Sequence, residues 1–100
     1  MDEFTALADP TRRRIVDLLA DGEKDAGSIA AGFEISKPAI SRHLRVLREG
    51  GIIQVRQEAQ RRIYSLRPDG LRDIDRWLSR YRSFWSERLD DLEAADKEER

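Results

Sequence analysis

The sequence predicts a mainly α fold carrying one small β-hairpin, with helical dimerisation elements at both termini. Three observations predict it. Segments up to residue 50 carry helix caps and apolar residues at helical spacing. Two β-rich runs, "IIQVRQ" and "RRIYSL", follow with only a short separation, as a hairpin requires. From Gly70 to Leu92 no proline or glycine interrupts a long periodic stretch.

The elements follow in order. "FTALA" can form a short leading helix with Phe4 and Leu7 on one side. "ADPTRRRIVDLLADG" has both ends marked. Asp9 suits the N-cap, Pro10 the first helical position and Gly22 the stop, and Ile15, Leu18 and Leu19 form the buried stripe. "DAGSIAAGF" is a weaker helix because Gly27 and Gly32 sit in it, with Ile29, Ala30 and Phe33 on its apolar face. "ISKPAISRHLRVLREGG" is capped by Ser36, tolerates Pro38 in its first turn and ends at Gly50 and Gly51. After the hairpin, closed by Pro68, one helix is expected from about Asp69 to Leu92. The tail "EAADKEER" is polar. Helix–turn–helix followed by a two-stranded wing is winged helix-turn-helix architecture. The expected organisation is one domain over residues 1–93 and a polar C-terminal tail over 94–100.

Composition narrows the function. Charged residues make up 39% of the 100 residues, above the roughly 25% of an ordinary domain. The formal net charge is only −1, but it is unevenly spread. Residues 1–33 carry −3, residues 34–67 carry +5 and residues 68–100 carry −3. A basic middle between acidic ends points to a local polyanion-binding surface. There are no cysteines, which removes disulfides and thiolate metal sites. No apolar run approaches 18 residues and no signal-peptide pattern is present, so the expectation is a cytoplasmic chain without a membrane partner.

On a 100° wheel the fourth helix places Ile40, Leu44 and Leu47 on one side. Pro38, Arg42, Arg45 and Glu49 lie opposite, flanked by Ser41 and Arg48, with Ser36 and Lys37 at the start. This is the face a recognition helix turns to the major groove of double-stranded DNA. Arginine can fork to guanine, serine can bond to base or phosphate, and Pro38 can touch a thymine methyl. Lys37, Pro38, Ser41 and Arg42, near the N-terminus, are the expected base contacts, and Arg45 and Arg48 the expected phosphate contacts. The wing adds Arg56, Arg61 and Arg62. Arg61 and Arg62, nearest the expected tip, suit phosphate or minor-groove contact. Arg56 suits DNA contact and edge-strand protection equally.

Leu71, Ile74, Leu78, Tyr81, Trp85 and Leu92 fall on one side of the last helix, with Trp77 and Leu89 on its margins. This stripe is longer than so small a core needs. With Phe84, and with Phe4 and Leu7 from the first helix, it forms an expected homodimer interface. Catalysis is not expected: the chain has no glycine-rich phosphate loop and no cysteine nucleophile, and no Ser–His–acid set stands out. Nor is a metal or other cofactor. The single histidine, His43, stands among arginines beside the apolar face and reads as a packed structural residue.

"LADPTRRRIVDLLADG", "ISKPAISRHLRVLREGGII" and "RRIYSL" resemble the ArsR/SmtB family of winged-helix transcriptional repressors, over nearly the whole chain from about Phe4 to Leu92. The resemblance implies a homodimeric repressor that releases a palindromic operator when a signal arrives. The residues do not identify that inducer. "WLSRYRSFWSERLDDLE" is similar to the metal-independent members. Two departures stand out: Glu34 occupies a turn where many members place glycine, and Ala59 occupies the wing tip where glycine is frequent. The competing class is a winged-helix protein-interaction module without specific DNA binding. The exposed arginines of the fourth helix and wing argue against it.

Overall fold

Side chains close the N-termini of four helices. Asp2 accepts from the Thr5 N–H (2.8 Å) and Asp9 from Arg12 (3.1 Å). Asp25 accepts from Ser28 (2.8 Å) and Ser36 from Ala39 (3.2 Å). Each cap satisfies an amide that the helix leaves unpaired, a contribution of about 1 kcal/mol. In the computed structural model, which describes residues 1–98, these helices are α1 (Glu3–Ala6), α2 (Pro10–Ala20), α3 (Ala26–Ala31) and α4 (Lys37–Glu49).

The core forms where their apolar stripes meet the sheet. Ile15 and Leu19 of α2, Ile29 of α3, and Ile40, Leu44 and Leu47 of α4 pack with Ala6, Ile52, Ile53 and Tyr64. Leu18 stays outside this buried cluster. α4 ends in a Schellman motif. The Ile52 N–H donates to the Leu47 carbonyl and the Gly51 N–H to Arg48, both at 3.0 Å, with Gly51 left-handed at φ 77°. Ile52 and Leu47, joined by the first of these bonds, share the core.

The sheet has three antiparallel strands rather than the two expected. β1 (Lys24–Asp25), β2 (Ile53–Glu58) and β3 (Arg61–Leu66) lie in the order β1-β3-β2. Two residues are too short to show the alternation that identifies a strand in sequence, so β1 emerges only through its pairing with Ile63 and Tyr64. The hairpin closes tightly. Glu58 pairs with Arg61, leaving Ala59 and Gln60 as the loop, with Ala59 left-handed at φ 56°. Among the described residues Ala59 is the only non-glycine with positive φ. The turn before α4 therefore runs through Glu34 without needing glycine there.

The long last helix is a correction. Two helices replace it: α5 (Arg72–Ser79) and α6 (Arg82–Glu98). The Ser79 hydroxyl donates back to the Asp75 carbonyl at 2.8 Å, a bond that bends helices. The chain then tightens, with the Tyr81 N–H donating three residues back to Leu78. α6 continues past Leu92 to Glu98, so residues 94–98 of the polar tail are helical, and residues 99–100 lie outside the described residues. No described helix is long and apolar enough to cross a membrane.

Candidate nucleic-acid interface

α4 turns its basic face outward. Ile40, Leu44 and Leu47 are buried, and Ser36, Lys37, Pro38, Ser41, Arg42, Arg45 and Arg48 stand away from them, all exposed. The helix is held from behind. Gly50 follows it so closely against α1 that a Cβ there would come within 2.7 Å of the Ala6 Cβ. His43 is clamped at 3.4 Å from Arg12 Nη1 and 3.9 Å from Asp9 Oδ2. Burial pushes the Asp9 carboxyl up, but the Arg12 N–H and the neighbouring His43 and Arg12 side chains outweigh it and hold the carboxyl below its ordinary value.

The other cations near the chain's start are occupied. Arg12 Nε donates to the Ala6 carbonyl (2.6 Å) and Arg13 to the Leu7 carbonyl (2.7 Å). Arg14 lies over the Phe33 ring, 4.7 Å from its centroid. The "TRRR" run thus ties α1, α2 and the turn before α4 together.

Strand alternation divides the three wing arginines. Side chains two apart share a face, so Arg62 stands beside Tyr64, whose ring packs in the core, and opposite Gln57. Its guanidinium lies 5.9 Å from the Tyr64 ring centroid. Arg62, Tyr64, Lys37 and Ser41 line one groove between the wing and the start of α4. A second groove runs between α4 and β2, lined by Arg45, Arg48, Gln54 and Arg67. Arg67 is itself paired with Asp69 at 3.2 Å.

Arg56 and Arg61 occupy the opposite face of the sheet, and both are paired. Arg56 reaches Glu23 (2.8 Å) and Glu58 (2.9 Å). Arg61 donates to Asp25 from Nη2 (2.9 Å) and Nε (3.2 Å). The Arg56 hydrogen bond and charge hold Glu23 below its ordinary carboxyl range. Asp25 is lowered first by the Ser28 N–H it caps and then by Arg61. Of the wing arginines, only Arg62 faces the same side as the start of α4. Glu23 and Asp25, which complete the arrangement, carried no signal in the sequence, because they meet their partners 33 and 36 residues away. Arg62 could have been separated from Arg61 by the two-residue period alone.

The expected interface residues at the chain's ends are mostly uncovered. Phe4, Leu71, Leu78, Tyr81, Phe84, Trp85 and Leu92 are exposed, Ile74 is half-buried, and Leu7 is half-buried against the core. The helix break reorganises the stripe. Phe4 meets Trp77 edge-on at 6.0 Å, and Trp77 meets Tyr81 at 5.3 Å. Leu78, Trp85 and Leu89 line a separate apolar groove. Phe84 turns aside under Arg88, 3.6 Å from its ring centroid. Among the described residues no three His, Asp or Glu side chains converge as a metal-binding group.

Residues 9–55, which hold α2 through α4 and the start of the wing, match the family described as "Bacterial regulatory protein, arsR family". The chain is 45% identical over 75 residues to the transcriptional repressor SdpR of Bacillus subtilis, a match covering 75% of this chain and 83% of that protein. It is 39% identical over 91 residues to the HTH-type transcriptional regulator Rv2034 of Mycobacterium tuberculosis, covering 87% and 85% of the two chains. A crystal structure of a possible transcriptional regulator for arsenical resistance superposes with a TM-score of 0.74 at 42% identity. It covers 95% of this chain and 96% of that one.

Proposed function

The chain belongs to the arsR family of bacterial regulatory proteins, DNA-binding helix-turn-helix transcriptional regulators and not enzymes, and on that premise we propose that it is a cytoplasmic repressor that binds a palindromic operator as a homodimer. The observation that carries the reading is the outer face of α4, where Lys37, Ser41, Arg42, Arg45 and Arg48 are exposed together on a helix pinned by its buried side. Ser36, Lys37, Pro38, Ser41 and Arg42 lie at the end of α4 that enters a major groove, and Arg45 and Arg48 follow along the phosphates. Arg62 reaches the backbone or minor groove from the wing. Arg56 and Arg61 contribute less while their carboxylate partners hold them.

The homodimer reading rests on surface that a lone chain leaves bare. A folded monomer of 11.6 kDa exposes about 5,800 Å²; this chain exposes 7449 Å². The excess, of order 1,600 Å² per chain, would bury an area within the range of permanent dimers when two copies meet. Phe4, Leu71, Ile74, Leu78, Tyr81, Phe84, Trp85 and Leu92 supply its apolar centre, with Leu7 at the edge nearest the core. Two-fold pairing also gives the specificity one winged helix lacks, because half-sites about one helical turn apart are read together.

Binding-site selection from random duplexes tests the reading. The expected product is a two-fold symmetric sequence with half-sites roughly 10–11 base pairs apart. Selection of an asymmetric site would overturn the dimeric reading, and no enrichment at all would favour a protein-interaction module.

A further inference from the structure

The two faces of the wing carry opposite charge. On the side shared with the start of α4 stand Arg62 and, across the groove, Lys37. On the other side two arginines, Arg56 and Arg61, meet three carboxylates, those of Glu23, Asp25 and Glu58. Glu23 and Asp25 come from the segment that leads into α3, so the wing is tied electrostatically to the first helix of the helix-turn-helix. Asp25 does two jobs with its two oxygens: Oδ1 caps α3 through Ser28, and Oδ2 takes Arg61.

These pairs are open to exchange. The Arg56 and Arg61 side chains are 51% and 62% exposed, so a phosphate can approach either guanidinium from solvent. Exposed ion pairs are weak, and a phosphate offers the same bidentate geometry as a carboxylate. Resting on the reading of this chain as a DNA-binding regulator, we propose that Glu23 and Asp25 are a built-in competitor for DNA phosphate, engaging Arg56 and Arg61 and keeping the wing below its full affinity. Specific binding then depends on α4 and Arg62. The two masked arginines add sequence-independent affinity only when their carboxylates are neutralised or displaced.

The test uses the full chain, a selected operator and a random duplex, over a salt series. Glu23→Gln and Asp25→Asn each remove one charge, and the amide introduced by Asp25→Asn retains an oxygen to cap α3. Each variant is expected to bind the random duplex about 3–10-fold more tightly near 0.1 M salt. The slope of log K against log salt should steepen by about 0.9 for each freed arginine. The gain must also require the arginine. Arg61→Ala is expected to erase the Asp25→Asn gain, and Arg56→Ala the Glu23→Gln gain. If the gains survive loss of the arginines, the carboxylates act only by general repulsion and the competitor proposal fails. Unchanged or weaker binding by both variants, with unchanged slopes, also overturns it and makes the pairs positioning contacts. Failure of the underlying reading looks different: wild type would then show no salt-dependent binding to either duplex, and Arg42→Ala would have nothing to lose.

Discussion

At residue 42 a guanidinium leaves the exposed face of α4 with no ion pair among the described residues, whereas Arg61 is already held by Asp25. That difference sets their expected roles. Arg42→Ala should cost roughly 1–3 kcal/mol of operator affinity and relax preference at one base position per half-site. Arg61→Ala should change operator and random duplex alike, and by less. Parallel titrations of both duplexes check this. A second residue-scale prediction concerns Glu3, which is 8% exposed with Oε2 unpartnered. Burial, and then the charge of Asp73, raise its carboxyl above the ordinary value of 4.5. A raised folded value means the proton stabilises the fold. That contribution is complete below the ordinary glutamate value and is lost as pH rises through the raised one. Glu3→Gln should therefore gain on wild type in stability as pH rises from 4 to 8. Denaturant unfolding of both proteins across that range reads the difference, and a gap independent of pH would contradict it.

At the scale of elements, α4 shows what a sequence discloses. Its cap at Ser36, its buried Ile40, Leu44 and Leu47, and its end at Gly50 and Gly51 are local, periodic signals, and all are found in place. The division of α5 from α6 is local as well, but Ser79 is a common helix residue and only its bond to Asp75 reveals the bend. β1 and the carboxylates paired with the wing were not legible, because a two-residue strand has no period and the pairs join residues more than 30 apart. Two junctions test the packing. Gly50→Ala must push its Cβ into Ala6 and the Asp2 carbonyl. Overpacking of this kind costs typically about 1–3 kcal/mol, and it should loosen α1 from the back of α4. Ala59→Gly does the reverse at the wing. The left-handed backbone at φ 56° strains alanine by about 1 kcal/mol or more. Its relief, partly offset by glycine's greater unfolded freedom, should raise Tm by a few degrees.

The molecule as a whole is extended for its size. Its radius of gyration is 17.2 Å, against about 13 Å for a compact chain of this length, and the helices after the wing account for the difference. α6, a 17-residue helix, is roughly 26 Å long and, through residue 96, every side chain on it is exposed. Trp85 lines its apolar groove with Leu78 and Leu89. Trp85→Glu would place an unpaired charge in the proposed dimer seam, at a cost of several kcal/mol. It is expected to give a monomer that keeps its helical circular dichroism, since Trp85 is 48% exposed in the single chain. Operator binding should fall by orders of magnitude although no residue of α4 or the wing has changed. The most direct test of two copies reading one site through α4 is the mass of the wild-type complex on its selected operator, by native mass spectrometry or sedimentation. Two chains per duplex, with an operator affinity that Arg42→Ala lowers by roughly 1–3 kcal/mol, is the predicted result; a stable complex with one chain per duplex, or a two-chain complex indifferent to Arg42, would contradict it.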